Sequence, residues 1–528
     1  MFKILISDKF TEAGIEIFKQ NPDFIVDYQP GLSPEDLLSV IGDYDGLVIR
    51  SGTRVTEEVL NAATNLKVVG RAGVGVDNVD VVAATGKGIC VMNTPGGNTV
   101  TTGEHAVAMM LAMARKIPQA DASLKSGKWL KSRFQGTEVY EKTLGVLGLG
   151  RVGRVVAERA LGFRMKVLAN DPFVSDNQAR KLGVEKASFD EILSRSDFIS
   201  IHLPKTPETK NLINAAAIAK MKKGVRLINC ARGGIVNEND LYEALQSGHV
   251  AAAALDVFEI EPCTENPLFQ LDNVIVTPHL GASTAEAQEN VAVAVAKQMI
   301  DYLADGVIVN AVNVPSVSGD ALRDIAPFMS LGEKLGSMQG QLSGEIPAEM
   351  TITYVGELSE LPNKPVGIAI LKGFFSRLHD EDVNFVNAPV FAEQHGMSVI
   401  ESARAKGGEY TNSLTVTVRY PDGKERSLTG VKFGDRDIRL TRYNNNVINI
   451  EPEGHMLILR NKDVPGVVGF IGTLLGEAGV NIANLRLARN RETNTALTFV
   501  TMDHEADEQT MKKLSDGEGI VSVKYVKI

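Results

Sequence analysis

From its first residues the chain alternates short β-branched apolar runs with stretches in which apolar positions recur every three or four residues. Lys3–Ser7, Gly46–Arg50, Lys67–Val69 and Ile89–Asn93 read as strands, with helices such as Thr11–Lys19 between them. That rhythm predicts βαβ units around a parallel sheet. Thr94-Pro95-Gly96-Gly97 breaks the pattern as a hinge, and Thr102–Arg115 reads as one long buried helix. A second alternation follows, with strands at Leu144–Leu147, Lys166–Ala169, Phe198–His202, Arg226–Cys230, Ala252–Val257 and Val274–Thr277. Six strands are enough for a full dinucleotide-binding sheet. A helix over about 284–304 then returns the chain to the first unit, which makes that unit discontinuous. Beyond Pro315 the texture changes: Met350–Val355 and Ser413–Arg419 alternate as half-buried strands, and Pro421-Asp422-Gly423 reads as a turn, together an α+β module. From His455–Leu459 to Val521–Val523 the order is strand, helix, strand, strand, helix, strand, a ferredoxin-like βαββαβ pattern. The expected domains are 1–96 with 283–313, 97–282, 314–452 and 453–528.

Length supports this division, since 528 residues exceed what one core can hold. With 44 % hydrophobic and 23 % charged residues, the chain has too much apolar side chain for disorder. The N-terminus has no apolar leader and no run reaches membrane-spanning length, so a cytoplasmic protein without a membrane partner is expected. Cys90, Cys230 and Cys263 are too few and too scattered for a disulfide framework or a metal cluster, so no metal is expected. A net charge of -10 argues against a nucleic-acid partner, and an anionic substrate would need local Arg and Lys.

The chemistry gathers at predicted strand ends, where open parallel sheets bind ligands. After Leu144–Leu147 comes Gly148-Leu149-Gly150-Arg151-Val152-Gly153, opening a helix. Gly148 permits a tight turn, Gly150 lets backbone approach a pyrophosphate, and Gly153 lets helix pack on strand. The following strand ends in Asn170-Asp171-Pro172, where Asp171 would accept from the adenosine ribose hydroxyls. It would also repel a 2′-phosphate, which favours NAD over NADP. Arg232, Glu261 and His279 follow the next strand ends. Arg232 offers a fork for a carboxylate, His279 an imidazole to take a hydroxyl proton as hydride leaves, and Glu261 a partner for the other ring nitrogen. Asp256 is placed to accept from a nicotinamide amide. Singly each has a bland explanation as surface charge or strand cap; their coincidence favours function. His105, His249, His379, His395 and His504 are set aside as surface or satisfied core residues. Arg50 and Arg71, also at strand ends, are the cations for a substrate phosphate.

The fragments Gly70-Arg71-Ala72-Gly73-Val74-Gly75-Val76-Asp77-Asn78, Gly148 to Gly153, Asn229 to Val236, Leu255 to Phe258 through Glu261-Pro262, and Pro278 to Thr284 closely resemble the D-2-hydroxyacid dehydrogenase family, nearest its long-form phosphoglycerate-oxidising branch. The resemblance implies an α/β enzyme with a Rossmann-type domain inserted in a flavodoxin-like substrate domain, then an intervening α+β domain and an ACT domain. It implies oxidation of D-3-phosphoglycerate to 3-phosphohydroxypyruvate with NAD, the first committed step of L-serine biosynthesis. Arg232 would bind the substrate carboxylate, with His279 as acid/base and Glu261 as its partner. Arg151, Val152, Leu203, Pro204, Cys230, Ala231, Asp256 and Gly281 would line the NAD site alongside Arg232 and His279. Ser51, Gly97 and Asn98 would join Arg50 and Arg71 at the substrate, with Lys131 reaching in from a second subunit of a homo-oligomer. For the tail the resemblance suggests L-serine as an effector touching Asn461, Asp463 and Asn481; an oligomer contact alone is the competing reading. The run Lys432, Arg436, Arg439 and Arg442 is either an anionic effector site or a solvated face. Two rivals stand beside the main reading: an enzyme of the same family acting on glyoxylate or 2-oxoglutarate, and an NAD-sensing protein without activity.

Overall fold

The computed structural model describes residues 1–315, 317, 320–378, 382–406, 410–434 and 437–528. The first sheet is fully parallel: β1 (Phe2–Ile6), β2 (Phe24–Tyr28), β3 (Gly46–Ile49), β4 (Val68–Arg71) and β5 (Cys90–Met92), in the order β2-β1-β3-β4-β5. This is the flavodoxin-like order. Strand β2 escaped the sequence reading because it is an edge strand whose apolar run, Phe24-Ile25-Val26, is only three residues long before Asp27. The helix Ala285–Asp305 lies directly on this sheet. A Cβ at Gly70 would sit 2.2 Å from the Met299 sulfur, so only glycine lets β4 and the helix meet. Val291, Val295, Ala296 and Met299 share a core with Ile4, Val48 and Val68, and Asn313 accepts from the Val91 amide at 2.9 Å.

The second sheet is also parallel and has seven strands: β6 (Thr143–Leu147), β7 (Lys166–Asn170), β8 (Glu185–Lys186), β9 (Phe198–Ile201), β10 (Val225–Asn229), β11 (Val250–Leu255) and β12 (Val274–Val276). Their order, β12-β11-β10-β9-β6-β7-β8, reverses at β6, where the crevice for a dinucleotide opens. The added strand β8 is a two-residue, fully exposed edge, too short for a periodicity signal. Asp256 is the first residue beyond β11 rather than part of it. The hinge helix runs from Thr99 to Arg115, three residues earlier than its apolar pattern begins, and packs against β10, β11 and β12.

Two further modules complete the chain. In the six-stranded sheet of the third, Glu349–Val355 pairs parallel with Ser398–Arg404 and antiparallel with Ser413–Arg419, and the Pro421-Asp422-Gly423 turn leads into Glu425–Phe433. The fourth is a four-stranded antiparallel sheet with the helices Val467–Glu477 and Glu508–Ser515 on one face. Its other face, through Met456, Ile458, Leu497, Phe499 and Val526, joins the core of the third module.

Candidate active site

The glycine turn after β6 is built as its chemistry requires. Gly148 holds φ +90°, and a Cβ there would lie 2.5 Å from the His202 carbonyl oxygen. At Gly153 a Cβ would lie 2.0 Å from the Gly148 oxygen, so any side chain would push the helix off the strand. Gly150 differs, because nothing of the protein lies within 4 Å of its absent Cβ. It stands at the N-cap of the helix Arg151–Gly162 with no side-chain cap, so the first amides of the helix are open to an anion. Asp171 stands at the end of β7, where it accepts from Leu149 N and Phe173 N, both at 2.8 Å, and lines an open cleft of about 390 Å³ with Pro172 and Ser188. These residues fit a dinucleotide: open amides for its phosphates, space at Gly150 and an acid at the ribose end.

Around the far half of that crevice the side chains divide by burial. Arg151 and Pro204 are exposed, Val152, Leu203 and Ala231 half-buried, and Cys230 buried, its thiol pushed up by desolvation and so inert at neutral pH. Asp256 is completely buried. It accepts from Leu280 N at 2.7 Å, Gly281 N at 2.8 Å and Thr277 Oγ1 at 2.5 Å, and lies 3.3 Å from His105 Nε2. Burial works to raise its pKa, yet these donors win and hold it below the usual carboxylate range. Asp256 therefore ties down the turn that carries His279. His105, set aside from sequence, is its second support, reaching over from the hinge helix; nothing in a lone helical histidine announces this, because its partners lie in distant loops.

His279 sits at φ +53° in this turn, donating its amide to the Asp256 carbonyl at 2.9 Å. Its Nδ1 lies 2.6 Å from Glu261 Oε2, which assigns the ring proton to Nδ1 and leaves the Nε2 lone pair free. The other Glu261 oxygen accepts from Phe258 N at 2.9 Å. Partial burial pushes the Glu261 pKa up, but the His279 bond, the Phe258 amide and the charge of Arg232 outweigh it, so the carboxylate stays ionised below its ordinary range.

Glu261 and His279 line one cleft of about 710 Å³ with Arg50, Ser51, Arg71, Asn98 and Arg232. Arg71 is largely buried; desolvation, then repulsion from Arg232, lowers its pKa to about 10, still protonated at neutral pH. Its Nε is buried with no hydrogen-bond partner among the described residues. Gly73 and Gly75 give room for two guanidinium groups, since a Cβ would meet Arg71 Nη1 at 2.1 Å and Arg232 Nη2 at 2.0 Å. Arg54, missed from sequence, also lines the cleft; its only signal was its place four residues after Arg50 in one loop. Two expected substrate residues are not among those lining it. Gly97 packs against Val291, and Lys131 lies on the exposed turn Lys131–Phe134.

The tail residues do not converge. Asn461 is buried, accepting from Thr498 Oγ1 and donating to the Lys462 carbonyl, both at 2.8 Å; Asp463 pairs with Arg489 at 2.8 Å; Asn481 donates to Asp503 at 2.9 Å. Of the basic run, Arg439 is held by Asp437 and Glu451, both at 2.6 Å, and Lys432 lies over the Phe328 ring. Arg436 and His379 fall outside the described residues. Among the described residues no helix is long and apolar enough to cross a membrane.

Residues 107–281 match the family model for the NAD binding domain of D-isomer specific 2-hydroxyacid dehydrogenases, residues 324–444 that for the D-3-phosphoglycerate dehydrogenase intervening domain, and residues 455–516 that for the ACT domain. D-3-phosphoglycerate dehydrogenase of Synechocystis sp. is 43 % identical over 529 residues, covering 100 % of this chain and 95 % of that protein. The enzyme of the same name from Bacillus subtilis is 40 % identical, with 100 % of this chain and 99 % of that protein covered. Among solved structures, NAD-dependent formate dehydrogenase from Staphylococcus aureus in complex with NAD is 31 % identical with a TM-score of 0.54, covering 60 % of this chain and 100 % of that one.

Proposed function

Because the chain belongs to the D-3-phosphoglycerate dehydrogenase family, within the NAD-binding D-isomer specific 2-hydroxyacid dehydrogenases, we propose that its cleft oxidises D-3-phosphoglycerate to 3-phosphohydroxypyruvate. The observation that carries the reading is one cleft lined both by the His279–Glu261 pair with Arg232 and by the added cations Arg50 and Arg71. Bound NAD, held by Gly150, the open helix amides and Asp171, supplies the hydride acceptor. Arg232 grips the C1 carboxylate and polarises the neighbouring C2 oxygen. His279 Nε2 takes the C2 hydroxyl proton, and Glu261 stabilises the imidazolium that results. Arg50 and Arg71, with Ser51 and Asn98, hold the phosphate. The unpartnered Arg71 Nε supports this, because a buried donor without an acceptor is costly unless a ligand completes it.

In this reading the enzyme is a cytoplasmic homo-oligomer. The helix Ile117–Lys125 buries none of its residues and, with Trp129 80 % exposed and Leu124 and Leu130 also exposed, presents an apolar arm suited to a second copy that would bring Lys131 to a neighbouring cleft. L-Serine is the proposed effector of the ACT domain, where Asn461, Asp463 and Asn481 would have to exchange present partners for it.

NADH formation from D-3-phosphoglycerate, measured for wild type and His279→Ala with and without L-serine, tests the reading. The wild type should turn over and His279→Ala should lose about 10²- to 10⁴-fold in kcat. Wild-type activity confined to an unphosphorylated 2-hydroxy acid would remove Arg50 and Arg71 from the phosphate role.

A further inference from the structure

Arg232 does not reach its cleft alone. It follows β10 of the second sheet, while Asp77 belongs to the loop after β4 of the first, yet Arg232 Nε lies 3.3 Å from Asp77 Oδ2 across the cleft. The same guanidinium donates through Nη1 to the Ala231 carbonyl at 2.7 Å. Between these two contacts it passes over Gly75, where a Cβ would lie 2.0 Å from Nη2 and 2.7 Å from Asp77 Oδ2. An arginine carries five N–H donors in a rigid fork, so a hydrogen bond at Nη1 and an ion pair at the Nε edge bias its plane and leave Nη2 for a ligand.

The loop has no other evident use for Asp77. Its neighbours carry the structural work: Asn78 donates to the Arg50 and Thr53 carbonyls at 2.7 and 2.6 Å, and Asp80 caps the next helix at Ala83 N. The Asp77 side chain is 68 % exposed, and among the described residues its one ion-pair partner is Arg232. Four guanidinium groups, Arg50, Arg54, Arg71 and Arg232, line this cleft against two carboxylates, and Glu261 is already committed to His279. Without Asp77, repulsion from Arg71 would act on Arg232 with only Glu261, already bound to His279, to offset it.

We infer that Asp77 is a positioning residue, which holds the fork of Arg232 from the opposite domain so that its remaining edge meets the substrate carboxylate. The inference rests on the reading of Arg232 as the carboxylate ligand. Asp77 touches no reacting atom; it acts through its ion pair with the Nε edge of Arg232.

The test compares wild type with Asp77→Asn, Asp77→Ser and Asp77→Glu for KM and kcat with phosphoglycerate, KM for NAD, and melting temperature. Both Asp77→Asn and Asp77→Ser should raise KM for phosphoglycerate about ten- to a hundredfold, the scale of a small misplacement of a binding group. KM for NAD and melting temperature should hold, and Asp77→Glu should recover much of the loss. An unchanged or lowered KM for phosphoglycerate would overturn the inference, as would a matching rise in KM for NAD together with a fall in melting temperature, which marks a purely structural role. If wild type ignores phosphoglycerate but oxidises another 2-hydroxy acid, the proposed substrate fails while the Asp77 comparison runs on that acid, which has the same carboxylate.

Discussion

Asp256 shows how one buried side chain can govern a catalytic group it never touches through its ring. With its oxygens taken by Leu280 N, Gly281 N and Thr277, Asp256→Ala would strand these donors, at ~1–3 kcal/mol for each one left buried. The expected outcome is a lower melting temperature together with a loss of kcat, because the His279 turn loses its anchor; paired melting and steady-state measurements would check both. Glu261 offers a test in pH. Its carboxylate is held below the ordinary value, so the stability it contributes is complete above that value and is lost as pH falls through the depressed pKa. The gap in melting temperature between wild type and Glu261→Gln should therefore close as the carboxylate is protonated, below about pH 4. Arg232, Glu261 and His279 were legible as types at strand ends. Asp77, Arg54 and the support from His105 were not, since each acquires its role only through a contact between distant loops.

The dinucleotide turn separates two kinds of glycine that look alike in the motif. Gly153→Ala would force a methyl onto the Gly148 oxygen, and a loss of ~1–3 kcal/mol in stability is expected with or without cofactor. Gly150→Ala meets no protein atom, so it should melt as wild type does and lose only NADH affinity, read by fluorescence titration. At this scale the β-branched runs and the turn glycines located nearly every strand of the first two sheets. The exceptions, β2 and β8, are edge strands: β2 sends only Phe24 fully into the core, and β8 is two residues long with both side chains outward.

The order of modules could be read from changes in periodicity, but their docking could not. Asn384 donates to the Gly88 carbonyl at 2.9 Å, and Val386 enters the core of the first domain. A chain ending at residue 313 should keep its turnover, since the cleft is complete by Ser283, but melt lower and lose any response to an effector; kinetics and melting of that truncation would show it. The third module also seals the open face of the terminal sheet with a single core running from Met350 and Leu440 to Phe499 and Val526. The last two modules are therefore welded into one body rather than strung like beads. That body is fastened to the first domain at the Asn384–Gly88 stud, just before β5, the strand paired with β4, which ends in Arg71.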